Sequence, residues 1–232
     1  MNLLQIQQAV NDLGAAAAES ATQPTEFKLS IFELATKGGW IMIALAILSI
    51  IAVYIFCERY ITIRRSTKQD VNFMNLIRNY MIEGKLSEAK ELCRQNDTPI
   101  SRMIEKGISR IGKPLNDIQT AIENVGNLEV SKLEKGVALI GMIAGAAPML
   151  GFLGTVTGMI KAFYDMSMAG NNIDIQLLSS GIYEAMVTTV GGLIVGIIAF
   201  IFYNVIVSKI DNVVNLLESK SIEFMDVLNE PA

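Results

Sequence analysis

The feature that most constrains this chain is residues 137–160, a run without a single charged side chain. At about 24 residues it exceeds the roughly 20 apolar residues that a helix needs to cross a bilayer. Yet it contains Ala147-Pro148-Met149-Leu150-Gly151-Phe152-Leu153-Gly154-Thr155-Val156-Thr157-Gly158-Met159, far more glycine and hydroxyl than lipid requires. Small residues let helix backbones approach closely inside membranes, and threonines offer polar atoms to a neighbour or a file of water. The run therefore reads as a span with protein or water against one of its faces.

Two more uncharged runs, 38–57 and 185–207, have spanning length, so the expected fold class is all-α, an integral membrane protein with three transmembrane helices. Composition agrees: 51% of residues are hydrophobic and only 18% charged, against about 25% charged in ordinary soluble domains. The chain has no histidine, which removes the commonest metal ligand and the usual general base. Cys57 and Cys93 are too far apart in sequence for a metal pair, and a disulfide is not expected. No nucleophile, phosphate loop, metal cluster or cofactor motif is present, so neither an enzyme nor a cofactor is expected. The net charge of −4 is spread without a basic block, which argues against nucleic acid as a partner.

Charge also orients the chain. Basic residues begin just after the first run at Arg59, Arg64, Arg65 and Lys68, and continue to Lys135, whereas residues 165–184 have none. The positive-inside rule makes 58–136 cytoplasmic. The expected organisation is an outward-facing or interfacial segment at 1–37, spans at 38–57, 137–164 and 184–207, a short outward-facing link at 165–183, and a cytoplasmic C-terminal helix at 208–232. Residues 1–20 lack the basic start and apolar core of a cleavable signal, and the first span is expected to act as the insertion signal.

The segment between the first two spans reads as helices. Phe73, Leu76, Ile77, Tyr80 and Met81 form one apolar stripe, Gly84 interrupts it, and Leu86, Ala89, Leu92 and Cys93 start another, as in a helical hairpin. A third stretch follows Pro99 and ends at Gly112-Lys113-Pro114. From Leu115 the apolar spacing runs into the second span, which predicts one helix over 115–164, about 75 Å long. Two of the three spans are thus expected to extend into a cytoplasmic helical bundle.

The candidate site residues lie in the two inner spans. Glu184 stands at the start of the third, where a carboxylate is either in contact with water at a helix N-terminus or functional. Thr188 is one turn below it on the same face, while Thr189 is rotated by about 140°, so Glu184 and Thr189 can address different neighbours. In the second span Gly141, Gly145, Gly151, Gly154 and Gly158 form small-residue faces with Thr155 among them, and Gly192 and Gly196 do so in the third. Close packing explains these glycines without any transport. Pro148 withholds one backbone hydrogen bond, permitting a kink or a carbonyl facing a cavity. Lys161 and Asp165, four apart, are expected to pair. Neither inner span carries enough ionisable groups for a complete proton path, so a titrating group would come from another polypeptide.

These residues resemble the MotA/TolQ/ExbB proton-channel family, with the closer likeness to its ExbB and TolQ branch. The resemblance rests on the run 147–160 with Phe163, on Glu184-Ala185-Met186-Val187-Thr188-Thr189-Val190-Gly191-Gly192-Leu193, on Tyr203-Asn204, and upstream on Gly84-Lys85-Leu86-Ser87-Glu88-Ala89 and Leu133-Glu134-Lys135-Gly136. It implies a homopentamer of three-span subunits in a bacterial inner membrane, with the N-terminus periplasmic and the C-terminus cytoplasmic. The second and third spans would line a pore holding an ExbD- or TolR-like single-span partner with an intramembrane aspartate, and proton flow would drive a TonB-like energiser. Thr155 and Thr189 match the family's pore threonines and Glu184 its polar mouth residue. Gly191, Gly192 and Gly196 depart from relatives that often carry alanine or larger groups there. A TolQ-like or gliding-motor stator and a passive membrane scaffold are the alternatives.

Overall fold

A computed structural model of the chain describes residues 39–67, 72–168 and 175–229. Among them the structure is wholly helical: α1 (Gly39–Ser66), α2 (Phe73–Ile82), α3 (Leu86–Asn96), α4 (Pro99–Ile108), α5 (Leu115–Glu134), α6 (Val137–Met168) and α7 (Ile175–Asn229). Three helices are long and apolar enough to cross a membrane, in agreement with the three expected spans. The segment 1–37 lies outside the described residues, as does part of the link between α6 and α7.

The short helices form where expected, for identifiable reasons. Gly84 and Gly112 take φ of +72° and +93°, a conformation side-chain-bearing residues rarely adopt, and so end α2 and the turn after α4. At the start of α4 Thr98 accepts a hydrogen bond from the Ser101 backbone N–H while the Thr98 N–H donates to the Ser101 hydroxyl, with Pro99 in the first turn. The apolar faces of α2 to α5 converge with α7 on one core that includes Ile77, Ile104, Ile122 and Phe224, none of which exposes any surface.

The helix expected over 115–164 is in fact two. Gly136 has φ +84° and separates α5 from α6. A glycine within an apolar pattern is compatible with an unbroken helix, which is why the spacing alone missed the break. The interruption leaves orphan carbonyls at the end of α5, and one of them, Lys132 O, accepts a hydrogen bond from Arg59 Nη1 of α1 at 3.2 Å. Nearby, Glu129 is 4% exposed yet charged. Burial pushes its carboxyl up, but hydrogen bonds from Arg102 and Lys132, at 2.6 and 2.7 Å, outweigh that and hold it below the usual carboxylate value.

The third expected span lies within a longer helix. Its helix begins at Ile175, more than two turns before Glu184, and continues unbroken to Asn229. Glu184 is therefore inside α7, not at its N-terminus. No ion pair links Lys161 to Asp165, so the expected pair does not form.

Candidate functional site

The most extensive helix contact in the molecule is between α6 and α7, which pack antiparallel. Its closeness follows from its small residues. A Cβ built on Gly192 would lie 2.6 Å from Ala147 O and 2.8 Å from Gly151 Cα, and one on Gly151 would lie 2.9 Å from Thr188 O. Gly158 faces Ala185, and Gly181 faces Ala162. Gly192 and Gly196 thus set the separation between the two helices rather than the width of a channel. Gly191 faces Met42 and Leu45 of α1 instead.

Pro148 fits this seam. A Cβ on Gly196 would stand 2.6 Å from Pro148 Cγ and 3.2 Å from Ala144 O. Ala144 O is the carbonyl that Pro148, lacking an N–H, leaves without its helical donor. That carbonyl faces the Gly196 backbone, not a cavity. Gly141 meets the Tyr203 ring, whereas nothing lies within 4 Å of the Cβ position of Gly145. The Gly141–Gly145 face is therefore only half covered by this chain.

The threonines divide. Thr188 is 2% exposed, donates to Ala185 O at 2.7 Å, and fills the notch left by Gly154. Within the subunit it packs at the seam. Thr189 instead reaches the edge of the seam, where its Oγ1 is 3.1 Å from Gly151 O and 3.5 Å from Thr155 Oγ1. Thr155 donates its own hydroxyl hydrogen to Phe152 O at 2.6 Å. Both donors are thus directed at oxygen atoms inside the chain, and lone pairs remain on both hydroxyls. The pair presents acceptors, an arrangement suited to a hydronium, a water file or a protonated carboxyl. Its exposed neighbours on α6, Phe152, Val156 and Met159, are apolar.

Glu184 does not join them. Its Oε1 lies 2.8 Å from the position a Cβ would take on Gly39, at the first residue of α1. Gly39 has φ +62°, so its conformation favours glycine there, and the N-terminus of α1 favours a carboxylate beside it. Thr189 addresses α6 and Glu184 addresses α1. The Gly39 partnership joins residues remote in sequence, and only the Gly38-Gly39 pair ahead of Trp40 hinted at a special backbone there.

With this geometry in hand, comparison with known proteins is informative. Residues 95–219 match the model of the MotA/TolQ/ExbB proton channel family, more than half of the chain. The chain belongs to that family. Its relatives include a biopolymer transport protein ExbB homolog of Methanothermobacter thermautotrophicus, 29% identical over 193 residues, 82% of this chain and 67% of that one. The ExbB-like 1 protein of Synechocystis sp. is 30% identical over 175 residues, 74% of this chain and 68% of its own. The Tol-Pal system protein TolQ of Haemophilus influenzae is 33% identical over 100 residues, 43% of this chain and 42% of its own. As a member of this family the chain is a membrane protein and an ExbB/TolQ-type proton channel subunit, and both seam-edge threonines fall inside the matched residues.

Proposed function

We propose that this chain is the ring-forming subunit of a proton-driven motor in a bacterial inner membrane, coupling proton flow to work on an envelope protein through a TonB-like energiser. It is a channel subunit and not an enzyme. The observation that carries the reading is the Thr155–Thr189 pair, 3.5 Å apart, at the edge of the uncharged runs 137–160 and 185–207. Five such edges around an axis, in a homopentamer, make a ring of hydroxyl acceptors without a resident proton carrier. An ExbD- or TolR-like single-span partner brings the carrier as an intramembrane aspartate. When protonated, that carboxyl donates to a threonine oxygen; when ionised, it needs water or a hydroxyl donor, so the two states favour different positions of the partner helix. The basic residues Arg59, Arg64 and Arg65 at the end of α1 support an orientation with that end cytoplasmic. Glu184 supports the motor from a different place, holding the opposite end of α1 against α7.

The test is purification of the full chain from its native membrane in mild detergent. A single-span protein with one intramembrane aspartate should accompany it in substoichiometric amount, and Thr155→Val with Thr189→Val should abolish proton-dependent work while leaving the ring intact. A ring recovered without any such partner, or full activity in the double variant, overturns the proposal. The TolQ match favours a TolR-like partner as the second reading, and the identity of the copurified protein separates the two.

A further inference from the structure

The end of α1 carries two kinds of basic residue. Arg59 is engaged within the chain, donating to Lys132 O and to Glu58. Lys209 of α7 is not: its ammonium lies 4.9 Å from the centroid of the Tyr60 ring, and among the described residues it forms no ion pair. Arg64, one helical turn beyond Tyr60 on the same face, is exposed and likewise forms none. Among the described residues, the carboxylates at this depth are directed elsewhere. Glu58 is held by Arg59, while Glu134 and Asp211 line a pocket with Tyr203 on the α5 and α6 side.

From these two cations the crevice between the packed helices α1 and α7 leads back along the span. Its floor is Phe56 stacked on Phe202, centroids 4.0 Å apart and rings within 14° of parallel. Helical spacing back from Lys209 puts Val205, Ile201 and Ile198 on one face of α7, and back from Tyr60 puts Val53 on the facing edge of α1, all exposed. Two unpaired cations and an aromatic ring where the apolar run ends, above a groove of exposed aliphatic side chains, match a molecule with an anionic head and hydrocarbon tails.

The geometry points to a binding site for an anionic phospholipid between α1 and α7, with the phosphate held by Lys209 and Arg64 and an acyl chain along Val205 and Ile201. The site rests on α1 and α7 being membrane spans, and on neither the proton path nor the partner of the proposed motor. A lysine that merely reached for bulk headgroups would show no preference among lipids once the bilayer is removed. A site holding the phosphate would.

Native mass spectrometry of the full chain purified in detergent, offered equal amounts of phosphatidylglycerol and phosphatidylcholine with identical acyl chains, reads the preference directly. A basic residue near a membrane surface contributes about fivefold toward anionic lipid, so Lys209→Gln and Arg64→Gln are each expected to lower retained phosphatidylglycerol about fivefold relative to wild type, with Lys209→Arg restoring it. Lys113→Gln, which removes the same charge beyond the far end of α5, about 30 Å away, should leave retention unchanged. Equal retention of both lipids by wild type overturns the inference. So does an unchanged preference in both glutamine variants, or full displacement of phosphatidylglycerol by millimolar inorganic phosphate, which would mean that the groove holds no acyl chain. If Lys209→Gln fails to accumulate, Arg64→Gln at its exposed position carries the same comparison.

Discussion

Gly192→Ala adds one methyl group where the α6–α7 seam brings backbone closest to backbone. The new carbon would lie 2.6 Å from Ala147 O, 2.8 Å from Gly151 Cα and 3.0 Å from Gly151 N. All three atoms are backbone, so no side chain can rotate away and the helices themselves must separate by about 0.5–1 Å to restore ordinary contact distances. Overpacking of this kind costs about 1–3 kcal/mol. The separation also stretches the Thr189 Oγ1 to Gly151 O bond from 3.1 Å to the limit of a hydrogen bond, a loss of about 0.6 kcal/mol for such a bond in a membrane. We expect Gly192→Ala to destabilise the chain by about 2–3 kcal/mol in total. Denaturant titration of the purified protein in mixed micelles measures this against Gly145→Ala, which adds the same methyl where no described atom of a neighbouring element lies within 4 Å. A Gly192→Ala variant within about 0.5 kcal/mol of wild type, the usual range for a surface substitution, would refute the claim that glycine sets the helix separation here.

Further consequences concern the helices outside the spans. Glu129→Gln should destabilise them by about 1–3 kcal/mol, because the amide keeps one acceptor oxygen for two charged donors and sets an NH2 group against the other. Since the folded carboxyl titrates below its unfolded value, its contribution is present above the ordinary carboxylate pKa and fades as pH falls through the folded one. Thermal melts between pH 3 and pH 7 should therefore show a shallower acid loss in Glu129→Gln than in wild type. Burial beside the Glu105 charge pushes the Cys93 thiol up to about 12, so Cys93 should resist iodoacetamide at pH 8 until the protein unfolds; rapid alkylation of the native chain would contradict the packing of α3. Phe224 is fully buried and lies 2.7 Å from a Cβ built on Gly107, so Phe224→Ala should cost about 3–5 kcal/mol, measurable by urea denaturation. Within the spans, Gly39→Ala puts a side chain at φ +62° and should lower the yield of folded protein, read by size-exclusion chromatography of the detergent-extracted chain.

What the amino-acid pattern reveals here, and what it hides, follows from where each interaction lies. Turns at Gly84 and Gly112 were legible because a local backbone conformation demands glycine at each, and the spans were legible because uncharged length is a property of consecutive residues. The break at Gly136 was hidden, since apolar spacing continues through it and its stabilising donor, Arg59, comes from another helix. Thr188 and Thr189 differ by one position and about 100° of rotation. Which of them is buried depends on where α6 sits, and the seam of Gly151, Gly154 and Gly192 decides that. The same glycines that read as small-residue packing faces in sequence are the reason Thr188 is sealed and Thr189 is left at the edge with Thr155. Packing and polarity are therefore one design in these spans: close approach buries one hydroxyl as mortar and positions its neighbour 3.5 Å from Thr155. A substitution that widens the seam should accordingly impair the hydroxyl pair even when both threonines are intact.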